Sequence, residues 1–318
     1  MPCLAAIAVS IGLLAGCAEM PDSAAQAVPP AENTPQPTAA LTPTPAPTDP
    51  VQEQDWRQVY GSCGLLTWPS VLYSIYLDDS ENPWTEEALA QTRQNLALAV
   101  EWIGEQAQTY NAVTEIYYDT GENGLCTFAL CQSGLTADTT TGTEFYDYVD
   151  TLTAQVDVDA IEQQYGTQSI GYLVFLPVEG GSYSILHYLE DGDRYLNEFS
   201  CLYLYDSYTG EMTYNSPTVY AHEILHLFGA ADLYVGSRDA FVTQPLAQYV
   251  LNTWPDAIMY YTYNSDNGIS YDHIEKVICP LTAYRLGLAD TFPGIEQFPA
   301  AAQDPPGVFS NGAGGQAA

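Results

Sequence analysis

Eleven residues, from His222 to Asp232, place imidazole and carboxylate groups at spacings that suit a metal ion. Their sequence is H-E-I-L-H-L-F-G-A-A-D, and it uses two of the four histidines in the 318-residue chain. Side chains four residues apart lie on one face of a helix, so His222 and His226 can bind one tetrahedral zinc ion. Glu223 lies beside the first histidine, which suits a general base that activates a zinc-bound water. The first five residues form the H-E-x-x-H signature of zinc hydrolases.

A catalytic zinc site needs a third protein ligand and one open coordination position. Gly229 follows the second histidine by three residues, where glycine can adopt a left-handed conformation and end the helix. The chain can then turn back and present Asp232, whose carboxylate is an ordinary oxygen ligand for zinc. Two later residues, His273 and Glu275, remain alternatives for the third ligand. The pattern predicts a zinc hydrolase whose metal ligands are the two histidines and Asp232.

The run from His222 to Asp232 resembles the active-site helix of the metzincins, in the variant that has aspartate as third ligand. Snapalysin-like and immune-inhibitor-A-like peptidases show similar patterns. Metzincins also carry a methionine turn beneath the zinc, and the segment Asp256 to Tyr261, which contains Met259, fits that description. The resemblance implies a zinc endopeptidase in which Met259 lies beneath the metal without ligating it. It also implies that Tyr261 approaches the zinc or the oxyanion of the reaction.

The N-terminus has the pattern of an export signal. Residues Leu4 to Leu14 are apolar, but the run is too short to span a bilayer. The following Leu-Ala-Gly-Cys resembles a bacterial lipobox, in which Cys17 is lipidated and becomes the mature N-terminus. A plain secretory signal cleaved near Ala15 or Ala18 is the alternative. Both interpretations predict export, either to the extracellular face of a bacterial cell membrane through a lipid anchor or into the medium.

Composition divides the chain into four parts. Residues 1–17 are the predicted lipoprotein signal peptide. Residues 18–54 are rich in Ala, Pro, Thr and Gln and cannot bury enough apolar surface to fold, so we expect a disordered linker. Residues 55–296 are the predicted metallopeptidase domain. Residues 297–318 are rich in Gly, Ala and Pro, which predicts a disordered tail.

The charge of the chain limits its partners. Forty acidic residues against six basic residues give a net charge of −34, which argues against nucleic-acid binding through a basic patch. The hydrophobic fraction of 47% supports a real core, and the length suits one large domain or two small ones. We expect a monomer that acts on a protein or peptide substrate.

Seven cysteines fit an exported protein. Five would remain after removal of Cys3 and acylation of Cys17, so at least one stays unpaired within the chain. Cys126 and Cys131 could close a hairpin, but spacing alone does not determine pairing. No arrangement of cysteine and histidine indicates a cysteine protease.

The spacing of apolar residues predicts an α+β fold. We expect, in chain order, a helix that begins at Asn82-Pro83, a strand over 113–118, a helix over 145–165 that stops at Gly166, strands over 170–176, 182–189 and 201–205, a zinc helix that begins near Ser216-Pro217, and a last helix over 273–286. Strand 170–176 is continuously apolar, so it should be central in the sheet. The segment 234–257 should shape the substrate pocket.

The family resemblance implies a metzincin-like catalytic domain, with a twisted mixed sheet above the active-site helix and a mostly helical C-terminal subdomain. It also implies an antiparallel edge strand, either 182–189 or 201–205, that pairs with extended substrate.

Three further predictions concern calcium, His187 and catalysis. The acidic runs at 191–193 and 264–268 could bind Ca²⁺, although neither completes an EF-hand loop. His187 is expected to be an ordinary strand residue. The whole chain could also be a non-catalytic surface lipoprotein that binds host or envelope polymers on a peptidase-like scaffold.

Overall fold

The fold is built on a seven-stranded mixed sheet. A computed structural model describes residues 55–185, 198–207, 213–264 and 268–303. The predicted signal peptide and linker lie outside the described residues, and so do Cys17, His187 and the acidic run at 191–193. Within the described residues, no helix is long and apolar enough to span a bilayer.

The strands run mostly parallel. They are β1 (Pro69–Asp78), β2 (Glu115–Tyr118), β3 (Cys126–Leu130), β4 (Ile170–Gly180), β5 (Tyr183–Ile185), β6 (Phe199–Asp206) and β7 (Thr213–Tyr214). Their order is β2-β1-β4-β6-β5, with β3 also paired to β1 and β7 also paired to β6. Only β5 and β7 are antiparallel to their neighbour. Strand β5 is therefore the antiparallel edge strand, whereas β6, which contains residues 201–205, lies between β4 and β5.

The helices cover both faces of the sheet. They are α1 (Arg57–Tyr60), α2 (Glu86–Thr109), α3 (Thr143–Thr153), α4 (Val158–Tyr165), α5 (Pro217–His226), α6 (Gln244–Thr253) and α7 (Pro280–Arg285), with a 3₁₀ helix at Pro299–Ala302. Helices α2 and α5 pack against each other on one face. Phe145 and Val149 of α3 join the core on the other face.

The centre of the sheet is confirmed where the sequence predicted it. Leu173, Val174, Phe175 and Leu176 of β4 are fully buried, because helices cover both sides of a strand flanked by parallel neighbours. The helix predicted from residue 82 is also confirmed, but it begins at Glu86. The side chain of Thr85 accepts a hydrogen bond from the amide of Ala88 and thereby caps this helix.

Two helix predictions are wrong in extent. The helix over 145–165 is divided into α3 and α4, because Asp157 caps a new helix start; Gly166, with φ +70°, ends α4 as predicted. The last helix over 273–286 is reduced to α7. Residues before Cys279 are not helical, and Val277 instead forms a parallel bridge with Ala257. Pro280 is tolerated only in the first turn of a helix, so α7 begins there.

Cys126 and Cys131, which could have closed a hairpin, do not do so, since β3 pairs in parallel with β1. All five cysteines in the described residues are free thiols.

Towards the C-terminus, the described fold continues beyond residue 296, where we expected the disordered tail to begin, since Ala301 is fully buried in the core.

Candidate metal centre

Helix α5 carries the candidate ligands through the middle of the protein. Ser216 caps its first turn by accepting a hydrogen bond from the amide of Val219, and Pro217 occupies the first helical position. His222, Glu223 and His226 are all buried. A central helix can bury such groups only when other atoms satisfy them.

The helix ends through a hydrogen-bond pattern that reverses the chain. Gly229 has φ +87°, its amide donates to the carbonyl of His226 at 2.8 Å, and the amide of Ala230 donates to the carbonyl of Leu225 at 3.1 Å. These two bonds form a Schellman motif, whose left-handed position favours glycine. The reversal brings Asp232 back to the histidines, as the sequence predicted.

The three candidate ligands share one point in space. Oδ1 of Asp232 lies 3.1 Å from Nε2 of His222 and 3.4 Å from Nε2 of His226. The ligand atoms all lie within 4.8 Å of one another, and among the described residues this is the one His, Cys, Asp or Glu group with such geometry. The two imidazole rings are almost perpendicular, with their centroids 4.9 Å apart.

Backbone carbonyls fix the orientation of both imidazoles. Nδ1 of His222 lies 3.0 Å from the carbonyl oxygen of Ile258, and Nδ1 of His226 lies 2.9 Å from that of Ala230. A carbonyl oxygen can only accept, so each Nδ1 must carry the proton and donate it. The Nε2 atoms therefore face Asp232, and a neutral ring would present its Nε2 lone pair there, as in metal-bound histidines.

This group of atoms needs a positive charge at its centre. Oδ1 of Asp232 is buried, and no donor in the described residues reaches it with hydrogen-bond geometry. Burial acts to lower the pKa of His226, but Asp232, with Glu223 and the Ala230 carbonyl, outweighs burial and raises that pKa to about 9. Burial acts to raise the pKa of Asp232, but His226 and His222 outweigh it and lower that pKa. Two nitrogens and one carboxylate oxygen suit a zinc ion, which would replace the proton that the group otherwise attracts.

Glu223 lies beside the candidate metal group, which consists of His222, His226 and Asp232, and does not belong to it. Its side chain is buried, and Oε2 accepts a hydrogen bond of 2.7 Å from the hydroxyl of Ser184 on β5. It also lines the same cleft as His222. Glu223 follows the candidate ligand His222 but is not itself part of the candidate ligand group. A carboxylate in such a position can exchange protons with a water.

The segment around Met259 forms a turn bonded to both ligand-bearing segments. The amide of Tyr260 donates to the carbonyl of Ala257 at 3.0 Å. The carbonyl of Met259 accepts from Leu233, next to Asp232, at 2.8 Å. The neighbouring Ile258 carbonyl holds His222, as described above. The fully buried Met259 side chain thus belongs to a turn that supports the metal group.

A cleft of about 390 Å³ opens beside the metal group. Its walls come from residues 180–182, from α5 and from residues 260–263. The segment 234–257, which we expected to shape the pocket, contributes only Tyr234 to the lining. Tyr261 lines the cleft with 44% of its surface exposed, and the ammonium of Lys276 lies 5.6 Å from the centroid of its ring.

Tyr234 is the site residue that the sequence analysis missed. Its hydroxyl donates to Oδ2 of Asp232 at 2.9 Å, so one carboxylate oxygen is held by the tyrosine and the other faces the histidines. The only sequence signal is a tyrosine two residues after the third ligand. In a chain with 25 tyrosines that signal is weak.

We expect Tyr234→Phe to weaken zinc binding by about 10- to 100-fold, the usual loss when the partner of a ligand is removed. Competition with a chromophoric chelator measures the affinity. Tyr263→Phe removes a different cleft hydroxyl, one that bonds Asp206 and not Asp232, and should retain wild-type affinity. Equal affinities for the two variants would contradict a role for Tyr234 in orienting Asp232.

The alternative third ligands lie elsewhere. The side chains of His273 and Glu275 are 57% and 49% exposed, and they bind each other at 3.2 Å. Neither belongs to the group formed by the two α5 histidines. Of the acidic run considered for Ca²⁺, residues 265–267 lie outside the described part of the chain.

Arg285 supports the turn at Gly229 that precedes Asp232. Arg285 of α7 is 1% exposed, and its Nε donates to the carbonyl of Gly229 at 3.1 Å. Its guanidinium carbon lies within 5 Å of three aromatic ring centroids, those of Trp56, Tyr60 and Phe241. The turn that delivers the third ligand is thereby fixed by residues from distant parts of the chain.

No protein-family model, curated protein or solved structure matches this chain. The class of the protein therefore follows from its own fold and site. It is a mixed α/β protein with a seven-stranded mixed sheet and a largely buried His-His-Asp group that opens onto a cleft.

Proposed function

We propose that the protein is a zinc-dependent endopeptidase of the metzincin type, exported and tethered to the outer face of a bacterial membrane through Cys17. One observation carries the enzymatic part of the proposal. A buried carboxylate oxygen of Asp232 faces two Nε2 atoms across 3.1 and 3.4 Å, with Glu223 beside them in the same cleft. This is the ligand set and base that hydrolytic zinc sites use.

The sheet gives further support. Strand β5 is antiparallel and lies at the edge of the sheet, next to residues 180–182 of the cleft wall. An extended peptide can add to such an edge through backbone hydrogen bonds. The substrate backbone would then pass the metal group, as the family resemblance implies.

Each step of hydrolysis has a candidate residue in this chain. A bound zinc ion lowers the pKa of a coordinated water to about 7 and polarises the substrate carbonyl. Glu223 accepts a proton from the attacking water while the water oxygen forms a bond to the carbonyl carbon. When the C–N bond breaks, Glu223 returns that proton to the leaving nitrogen, and the products are an amine and a carboxylic acid. Tyr261, at the cleft, is the candidate donor to the oxyanion.

Metal analysis and a cleavage assay on the purified full chain test the proposal. We expect about one zinc ion per chain, in keeping with a single three-ligand site, and cleavage of casein or of a peptide library. Treatment with 1,10-phenanthroline should stop cleavage, and added zinc should restore it. A chain that holds no zinc and cleaves nothing would overturn the proposal in favour of the non-catalytic surface lipoprotein.

A further inference from the structure

Two serine hydroxyls lie between the sheet and Glu223. Ser184 on β5 and Ser200 on β6 are directly opposite each other in the antiparallel pair, and their Oγ atoms are 2.8 Å apart. Ser200 is fully buried. Both hydroxyls contact the same residue, because side chains at paired positions of two strands point to the same face.

The hydroxyl proton of Ser184 can be assigned from the distances. Ser200 Oγ lies 2.8 Å from the carbonyl oxygen of Glu223. Ser184 Oγ lies 2.7 Å from Oε2 of Glu223 and 3.2 Å from its carbonyl oxygen. Each hydroxyl has one proton to donate, and a charged acceptor forms the stronger bond. Ser184 therefore donates to the carboxylate. Ser200 lies 2.8 Å from both the Ser184 hydroxyl and the Glu223 carbonyl oxygen, and its one proton can go to either.

The backbone of Glu223 needs this support. Within a regular helix, its carbonyl would accept from the amide of Leu227, four residues later. That amide donates at 3.0 Å to the carbonyl of Ile224 instead, because the helix tightens at its end. The serine pair thus places one hydroxyl within hydrogen-bond distance of the Glu223 carbonyl, and the other holds the Glu223 side chain.

We propose that Ser184 is a positioning residue, which aims the Glu223 carboxylate for proton transfer from the strand that forms the edge of the sheet. The proposal rests on the proposed function. Its physical basis is that a glutamate side chain has three rotatable bonds, whereas general-base catalysis needs the carboxylate within hydrogen-bond reach of the reacting water. Since Ser184 belongs to β5, a substrate added to that strand is placed in register with the base.

Kinetics of zinc-loaded Ser184→Ala test this role on one fluorogenic peptide. We expect kcat to fall by about 10- to 100-fold, the range seen when an outer-shell partner at a metal site is removed. The KM value and the zinc content should stay at their wild-type values. Ser184→Thr keeps the hydroxyl and should recover most of kcat. Ser133→Ala, at an exposed serine after β3, is the matched control for loss of a hydroxyl.

Crystals of the zinc-loaded wild type and of Ser184→Ala give a readout that does not depend on turnover. We expect a single ordered Glu223 carboxylate in the wild type and a displaced or multiply oriented one in the variant. An unmoved carboxylate in Ser184→Ala, an unchanged kcat, or a fall in kcat without recovery in Ser184→Thr would overturn the proposal. A wild-type protein that cleaves no peptide refutes the proposed function instead, and the crystals still decide whether Ser184 positions Glu223.

Discussion

Replacement of Glu223 by glutamine is expected to stop peptide hydrolysis while the metal centre stays intact. Glutamine has nearly the same shape, and its amide oxygen can still accept the hydrogen bond from Ser184, but it cannot take a proton from water. Loss of a general base lowers the rate by roughly 10²- to 10⁴-fold. The measurements are kcat/KM on a peptide substrate and zinc content by elemental analysis of the same sample.

Glu275→Gln is the matched control, because it makes the same chemical change at a half-exposed glutamate outside the metal group. It should retain wild-type activity and zinc. If Glu223→Gln cleaved peptides at the wild-type rate, the assignment of Glu223 as the base would be wrong, whatever the metal content.

Removal of Asp232 should have the second large effect, which is the loss of zinc. Asp232→Ala takes away the only carboxylate of the His-His-Asp group and leaves two imidazoles to hold the ion. Loss of a residue that only supports a ligand already costs about 10- to 100-fold, so we expect affinity to fall by at least about 100-fold. Equilibrium dialysis against buffered zinc measures the change.

Glu275→Ala separates the two candidate third ligands in the same assay. We expect it to bind zinc as the wild type does, because the side chain of Glu275 contacts His273 and not the α5 histidines. The reverse result, with zinc retained in Asp232→Ala and lost in Glu275→Ala, would transfer the third ligand to Glu275. Circular dichroism of each variant without zinc controls for unfolding.

The convergence of His222, His226 and Asp232 was predictable because its geometry is local. His222 and His226 need only one helical turn between them, and Gly229 needs only one left-handed residue to bring Asp232 back. Tyr234 was not predictable, since its contact with Asp232 depends on how the loop folds after the turn. The support from Ser184 was also out of reach, because strand pairing joins Ser184 to Ser200 and tertiary packing sets both against Glu223.

The fold was predictable where a segment carries one strong periodic signal, as in β4 and α2. Strand β1 was missed although it lies next to β4, because Ser70 and Ser74 interrupt its apolar residues and both are fully buried. The length of the last helix was overestimated, because apolar spacing alone does not show that residues 273–279 are not helical and that the helix begins at Pro280. A bridge from Val277 to Ala257 competes with the helix there, and such a long-range contact leaves no local signal.

The packing around Arg285 has a consequence for the order in which the molecule is made. Trp56 and Tyr60 come from the start of the described fold, and Arg285 comes from near its end. Beside them, Arg57 donates to the carbonyl of Tyr284, 227 positions away. Contacts between such distant residues bear a large loop-closure entropy and slow folding. We therefore expect the Asp232 loop to settle only after the chain has left the ribosome as far as Arg285, so that a shorter nascent chain would lack the fixed turn on which the His-His-Asp group depends.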